Sequence, residues 1–138
     1  METKKEIPKI EVNEAQEALI REILGQVAGK WPLWTMHILA DHGAPLRFAR
    51  LLERVEGISQ KMLTQTLRQL ERDGLVTRTV YAEVPPRVEY ALTADGQQIL
   101  ERFKPFWLWI AGRLSTFEAA RARFEQRPTA GAAKANDE

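Results

Sequence analysis

Apolar residues first take helical spacing at Ala18, Leu19, Ile23, Leu24 and Val27. Asn13 with Gln16 three residues later is a capping-box pattern, so a helix is predicted to begin there and Gly29 to end it. Trp31-Pro32-Leu33-Trp34 opens a second helix, with Pro32 in the first turn, where its missing N–H leaves no bond unmade. That helix runs through Met36, Ile38 and Leu39 and stops at Asp41-His42-Gly43. Leu46 to Arg54 reads as a short third helix with Phe48, Leu51 and Leu52 facing in, and Gly57 turns the chain into a fourth. The fourth lies within ISQKMLTQTLRQLERDGLV, from Ile58 to Val76. Ser59 suits its N-cap, and Ile58 with Leu63 fits a hydrophobic staple. Leu63, Leu67 and Leu70 make the buried stripe. At about 100° per residue, Lys61, Gln65, Arg68 and Arg72 point away from it, with Gln60 and Thr64 on one flank.

After Asp73-Gly74 the period changes to two. Val76, Arg78 and Val80 alternate with Thr77, Thr79 and Tyr81, and Val88, Tyr90 and Leu92 alternate with Glu89, Ala91 and Thr93. These read as two strands joined by the loop Ala82 to Arg87, which Pro85-Pro86 stiffens and which carries Arg87 at its tip. Thr93 is predicted to cap a new helix. From Leu100, the residues Phe103, Trp107, Ile110, Leu114 and Phe117 follow in steps of three and four, the seam of helix-on-helix packing. Pro105 interrupts that seam and is expected to kink or split the helix. The organisation expected is a mobile arm over residues 1–12, one domain over 13–126, and a disordered small, polar tail over 127–138.

A chain of 138 residues has room for one real core. The net charge of +1 argues neither for nor against a polyanionic partner. Residues 1–43 carry 5 basic and 7 acidic side chains, residues 44–90 carry 8 and 6, and residues 91–138 carry 7 and 6, so a basic surface must come from placement. Cysteine is absent, which excludes disulfides, thiolate metal sites and thiol redox sensing. No apolar run has signal-peptide or membrane-spanning length, so a soluble cytoplasmic protein with no membrane partner is the expectation.

Other chemistries fail on their spacing. Gly25 to Lys30 (GQVAGK) has the wrong glycine spacing for a phosphate-binding loop, and Trp31 stands where a magnesium-holding hydroxyl belongs. His37 and His42 are five apart without a zinc-binding pattern, and Ser59 in GISQK lacks the second glycine of a nucleophile elbow. No catalytic set, metal site or cofactor is expected. Helix, tight turn, capped helix and then two strands is instead the winged helix-turn-helix. The expected fold is mainly α with a small antiparallel β-hairpin wing (α+β), flanked by N- and C-terminal dimerisation helices. A recognition helix buries one face and offers the other to the major groove, where Lys, Arg and Gln match base acceptors and phosphates while acids are repelled. The competing account is a solvated helix that happens to be basic, on a module used only for protein interaction or dimerisation. Arg68, Arg72, Arg78 and Arg87, all on the helix or wing, favour DNA over that account, tempered by Glu71, Asp73 and Glu83.

The chain also resembles the HxlR-type repressors, winged-helix relatives of the MarR group. The matching residues are Gly29-Lys30-Trp31, Arg47-Phe48 with Leu51, and Ile58-Ser59-Gln60-Lys61-Met62-Leu63-Thr64 continuing to Leu67, Leu70, Glu71, Gly74 and Leu75. Val84-Pro85-Pro86-Arg87-Val88-Glu89-Tyr90, then Leu92-Thr93 with Gly96, complete a set covering roughly residues 17–100. The resemblance implies a homodimer on a palindromic operator, with a recognition helix and a wing on each subunit. Two departures stand out. Many relatives sense oxidants or electrophiles with a cysteine near the position of Ala18, and Phe106-Trp107-Leu108-Trp109 is unusually aromatic.

The partner expected is therefore double-stranded DNA. Ser59, Gln60, Lys61, Thr64, Gln65 and Arg68 are expected to face base edges or the adjoining backbone, with Arg72 further along the same helix. Arg47 and Lys30 are assigned to phosphates, Arg78 to the wing, and Arg87 to the minor groove or its flanks. A homodimer is expected through Leu19 and Ile23 of the first helix and Leu100, Phe103, Trp107, Ile110, Leu114 and Phe117 of the last. Trp31, Trp34, Phe103, Phe106, Trp107 and Trp109 could wall a site for a flat aromatic effector, although packing of the core is the simpler account of these rings.

Overall fold

The computed structural model describes residues 10–128. Of the expected arm and tail, residues 1–9 and 129–138 lie outside the described residues. The elements are α1 (Glu14–Val27), α2 (Lys30–His42), β1 (Leu46–Arg47), α3 (Phe48–Arg54) and α4 (Gln60–Arg72), then β2 (Val76–Tyr81), β3 (Arg87–Leu92), α5 (Ala94–Ala111) and α6 (Leu114–Glu125). The chain divides at Leu100 into two compact units.

Local signals set the helix starts. The Asn13 side chain accepts from the Gln16 N–H at 2.8 Å while the Asn13 N–H donates to Gln16 Oε1 at 2.9 Å, closing the expected capping box. Glu14 and Glu17 in the first turn complement the positive end of the helix. α2 stops where Gly43 turns left-handed at φ 70°. Ser59 Oγ accepts from the Met62 N–H at 3.1 Å, as an N-cap should.

The predicted third helix is shorter than expected. Leu46 and Arg47 are extended, and helix begins only at Phe48. The reason is tertiary: β1 pairs antiparallel with β3, Leu46 opposite Tyr90 and Arg47 opposite Glu89. The sheet order is β1-β3-β2, so the wing hairpin has a third strand on its inner side. A two-stranded hairpin alone would be marginal. The unpaired edge of β3 offers ladder groups that no local pattern around Leu46 announces.

The core of the first unit is closed. Met36, Leu51, Val55 and Leu63 are fully buried, with Leu67, Leu70 and Val76 at most 2% exposed. Burying each leucine of α4 contributes roughly 1.5–3 kcal/mol. α5 then docks through Thr93, whose N–H donates to Leu75 O at 3.0 Å and whose hydroxyl donates to Gly74 O at 2.7 Å. The same hydroxyl accepts from the Gly96 N–H at 3.1 Å, which makes Thr93 the helix cap. Gly96 is buried there, and a Cβ on it would lie 2.4 Å from Leu75 O and 2.6 Å from Leu92 Cδ1. Only glycine fits this approach.

In the second unit Pro105 does not split the helix: α5 is continuous to Ala111, and the break comes at Gly112-Arg113. Proline removes one N–H, but Glu101 and Pro105 are exposed, so water can take the freed carbonyl. The break falls where Gly112, a poor helix former, is followed by a 2.9 Å bond from the Arg113 N–H to Ile110 O. The seam from Leu100 to Phe117 is thus shared between two helices. Leu100, Phe103 and Ile110 are half-buried, while Trp107, Leu114 and Phe117 are exposed. Phe106, Leu108 and Trp109 are exposed too, so of the rings expected to pack a core only Trp31 and Phe103 are half-buried.

Candidate nucleic-acid interface

α4 sorts its residues by face. Leu63, Thr66, Leu67 and Leu70 are buried, whereas Gln60, Lys61, Thr64, Gln65, Arg68 and Arg72 are exposed. Its first turn holds no acidic residue. Unsatisfied N–H groups and the positive end of the helix therefore coincide with Lys61, a combination that attracts anions. Lys61 and Arg68 form no salt bridge among the described residues. Thr64 spends its hydroxyl proton on Gln60 O at 2.9 Å, leaving its oxygen lone pairs and methyl outward.

Arg72, grouped with these residues on sequence, is engaged differently. Its guanidinium lies 3.3 Å from Glu22 of α1 and 3.6 Å from Asp73. It ties the end of α4 to α1 and is the least available cation of the row.

The wing arginines do not come together. Register pairs Tyr81 with Arg87, Thr79 with Glu89 and Arg78 with Tyr90. Since residues two apart share a face, Arg47, Tyr81, Arg87 and Glu89 belong to one face and Arg78 to the other. Arg78 is exposed and unpaired by any described carboxylate. Arg87 is not at the loop tip: it is the first residue of β3, and Val84 is the fully exposed tip residue. The Arg87 guanidinium stacks 4.0 Å from the centroid of the Tyr81 ring. It also lies 3.3 Å from Glu83 and 3.7 Å from Glu89. The expectation of an outstretched loop arginine is corrected on both counts. The pattern contained the clue, since period two puts 87 and 89 on one face and a hairpin closes 81 against 87.

Of the two residues assigned to phosphates, Arg47 is exposed at the N-cap of α3, and Lys30 Nζ sits 4.5 Å over its neighbour Trp31. On α1, Leu19 is 53% exposed and Ile23 half-buried. Ile20 and Leu24 are also exposed on this helix, four apart, and belong with any surface α1 offers. A cleft of about 340 Å³ in the first unit is lined by Leu39, Pro45, Ala91 and Gln97 among others, and by none of the aromatic rings considered for an effector. Among the described residues no group of three His, Cys, Asp or Glu could hold a metal ion, and no helix is long and apolar enough to cross a membrane.

A capped helix with a polar cationic face, preceded by a helix and turn and followed by a stranded wing, defines a winged helix-turn-helix protein. The family described as HxlR-like helix-turn-helix matches residues 26–117. An HTH-type transcriptional regulator of Methanothermobacter thermautotrophicus is 46% identical over 77 residues, which are 56% of this chain and 57% of that protein. The HTH-type transcriptional regulator YtfH of Escherichia coli is 36% identical over 107 residues, 78% of this chain and 83% of that one. The solved structure of YtfH from Salmonella typhimurium superposes with a TM-score of 0.67 at 36% identity, covering 81% of this chain and 99% of that one. The chain belongs to the HxlR-like helix-turn-helix family and is a transcriptional regulator.

Proposed function

We propose that the protein is a homodimeric repressor that reads a palindromic DNA operator, inserting α4 of each subunit into the major groove. One observation carries this reading: α4 combines a capped, acid-free first turn with Lys61, Gln65 and Arg68 exposed on its outer face. Gln60, Lys61, Thr64, Gln65 and Arg68 take the base edges, with Ser59 at the backbone beside them. Arg47, Lys30 and Arg78 serve phosphates. Each unit offers its own apolar residues for dimerisation: exposed Leu19 with half-buried Ile23 and Leu100 in the first, and exposed Trp107, Leu114 and Phe117 with half-buried Phe103 and Ile110 in the second. Two-fold pairing would space the recognition helices to match half-sites about 34 Å apart. A chain without cysteine has no thiol switch, so control of binding rests on a non-covalent ligand, a partner or abundance.

The test is a band shift with DNA flanking the protein's own gene, at two salt concentrations. Arg68→Ala should cost roughly 1–3 kcal/mol and relax sequence preference, because a bidentate guanine contact is lost. Arg47→Ala should weaken all sequences alike and lower the salt slope by about one. Unchanged affinity and preference in both Arg68→Ala and Gln65→Ala would overturn the assignment.

A further inference from the structure

Arg87 is held from three sides. Tyr81, at the end of β2, lies under its guanidinium at 4.0 Å; Glu83, in the loop, pairs with it at 3.3 Å; and Glu89, two residues on along β3, sits at 3.7 Å. Its side chain is 29% exposed, and its Nε is buried without a hydrogen-bond partner. Reaching for DNA would mean leaving the ring and both carboxylates. Those carboxylates are the reason it matters. A wing that approaches the phosphate backbone must not present bare acids there, yet this one carries Glu83 at 52% exposure and Glu89 at 20%. Arg47 lies opposite Glu89 in register, but no salt bridge joins them, so the cation in contact with both acids is Arg87.

We propose that Arg87 is a positioning residue of the wing: seated on Tyr81, it acts by neutralising Glu83 and Glu89, and it does not itself contact DNA. The proposal rests on the DNA-binding reading above. Its signature is coupling. If Arg87 touches DNA directly, its loss costs the same whether or not the two acids are present. If it acts through them, the cost vanishes once they are neutral.

The experiment measures affinity of the full chain for a duplex of DNA flanking its own gene, in four proteins: wild type, Arg87→Ala, Glu83→Gln/Glu89→Gln, and the triple variant. Arg87→Ala should lose about tenfold in affinity, while the triple variant binds within about twofold of the double variant. Salt dependence is a second readout. The triple and double variants should share one slope, whereas a lost phosphate contact would lower it by about one. An equal loss in both backgrounds, or no loss in Arg87→Ala, overturns the proposal. Arg68→Ala serves as the control on the underlying reading. Where wild type prefers its own flanking DNA and Arg68→Ala loses that preference, the DNA-binding reading stands whatever Arg87 does; where wild type shows no preference, that reading fails.

Discussion

Before Leu100 a core closes, with Met36, Leu51, Val55 and Leu63 all 0% exposed, although Leu19, Ile20 and Leu24 of α1 stay outside it. Beyond Leu100, Phe106, Trp107, Leu108 and Trp109 are between 53% and 62% exposed. The first unit has α2, α3, α4 and a three-stranded sheet to enclose a core. The second has little but one continuous helix end and α6, joined by the break at Gly112, with Trp109 meeting Phe117 edge-on at 6.2 Å. Two helices can share a seam but cannot enclose it. Apolar surface left open in this way is what the proposed self-association would cover. The contrast teaches that similar residue types close a core in one region and stay on the surface in the other, which is where the proposed dimer would use them.

Removing a core leucine should separate the two regions most sharply. Leu67→Ala is expected to lower unfolding free energy by about 2–5 kcal/mol, read by chemical denaturation. Trp107→Ala, a larger truncation, should leave denaturation of dilute protein nearly unchanged and instead weaken self-association by about 2 kcal/mol or more in sedimentation. The contrast breaks if Trp107→Ala unfolds the protein or if wild type sediments as a monomer at micromolar concentration.

The start of α5, within the first unit, offers a smaller effect. Gly96→Ala forces a Cβ against Leu75 O and Leu92, and should cost about 1–3 kcal/mol in thermal or denaturant unfolding. Wild-type stability in that variant would mean that α5 can shift away from Leu75 at no cost. Ser59→Ala should cost about 1 kcal/mol through the lost cap on Met62, again seen in unfolding. Smallest of all, Arg68→Ala should change stability by no more than about 0.5 kcal/mol, since it is exposed and forms no salt bridge among the described residues, so its loss of DNA affinity cannot be traced to misfolding.

Much of this protein was legible in its sequence because the relevant forces are local. Asn13 with Gln16, Ser59 before Gln60 and Thr93 before Ala94 are caps whose donors and acceptors lie within three residues of each other. The leucine stripe of α4 and the alternation in β2 and β3 follow from periods of 3.6 and 2, which also set which side chains of α4 face outward. What distant partners decide was not legible. Leu46 and Arg47 became strand because β3 had a free edge more than forty residues away. The helix ran on through exposed Pro105 and broke at Gly112 instead, where glycine is a poor helix former. Arg72 was drawn to Glu22, fifty residues earlier in the chain. Arg87 was drawn inward by Tyr81 and two acids that only the closed hairpin brings to one face. A side chain's direction follows from the backbone period, but its availability depends on which opposite charge the fold sets beside it.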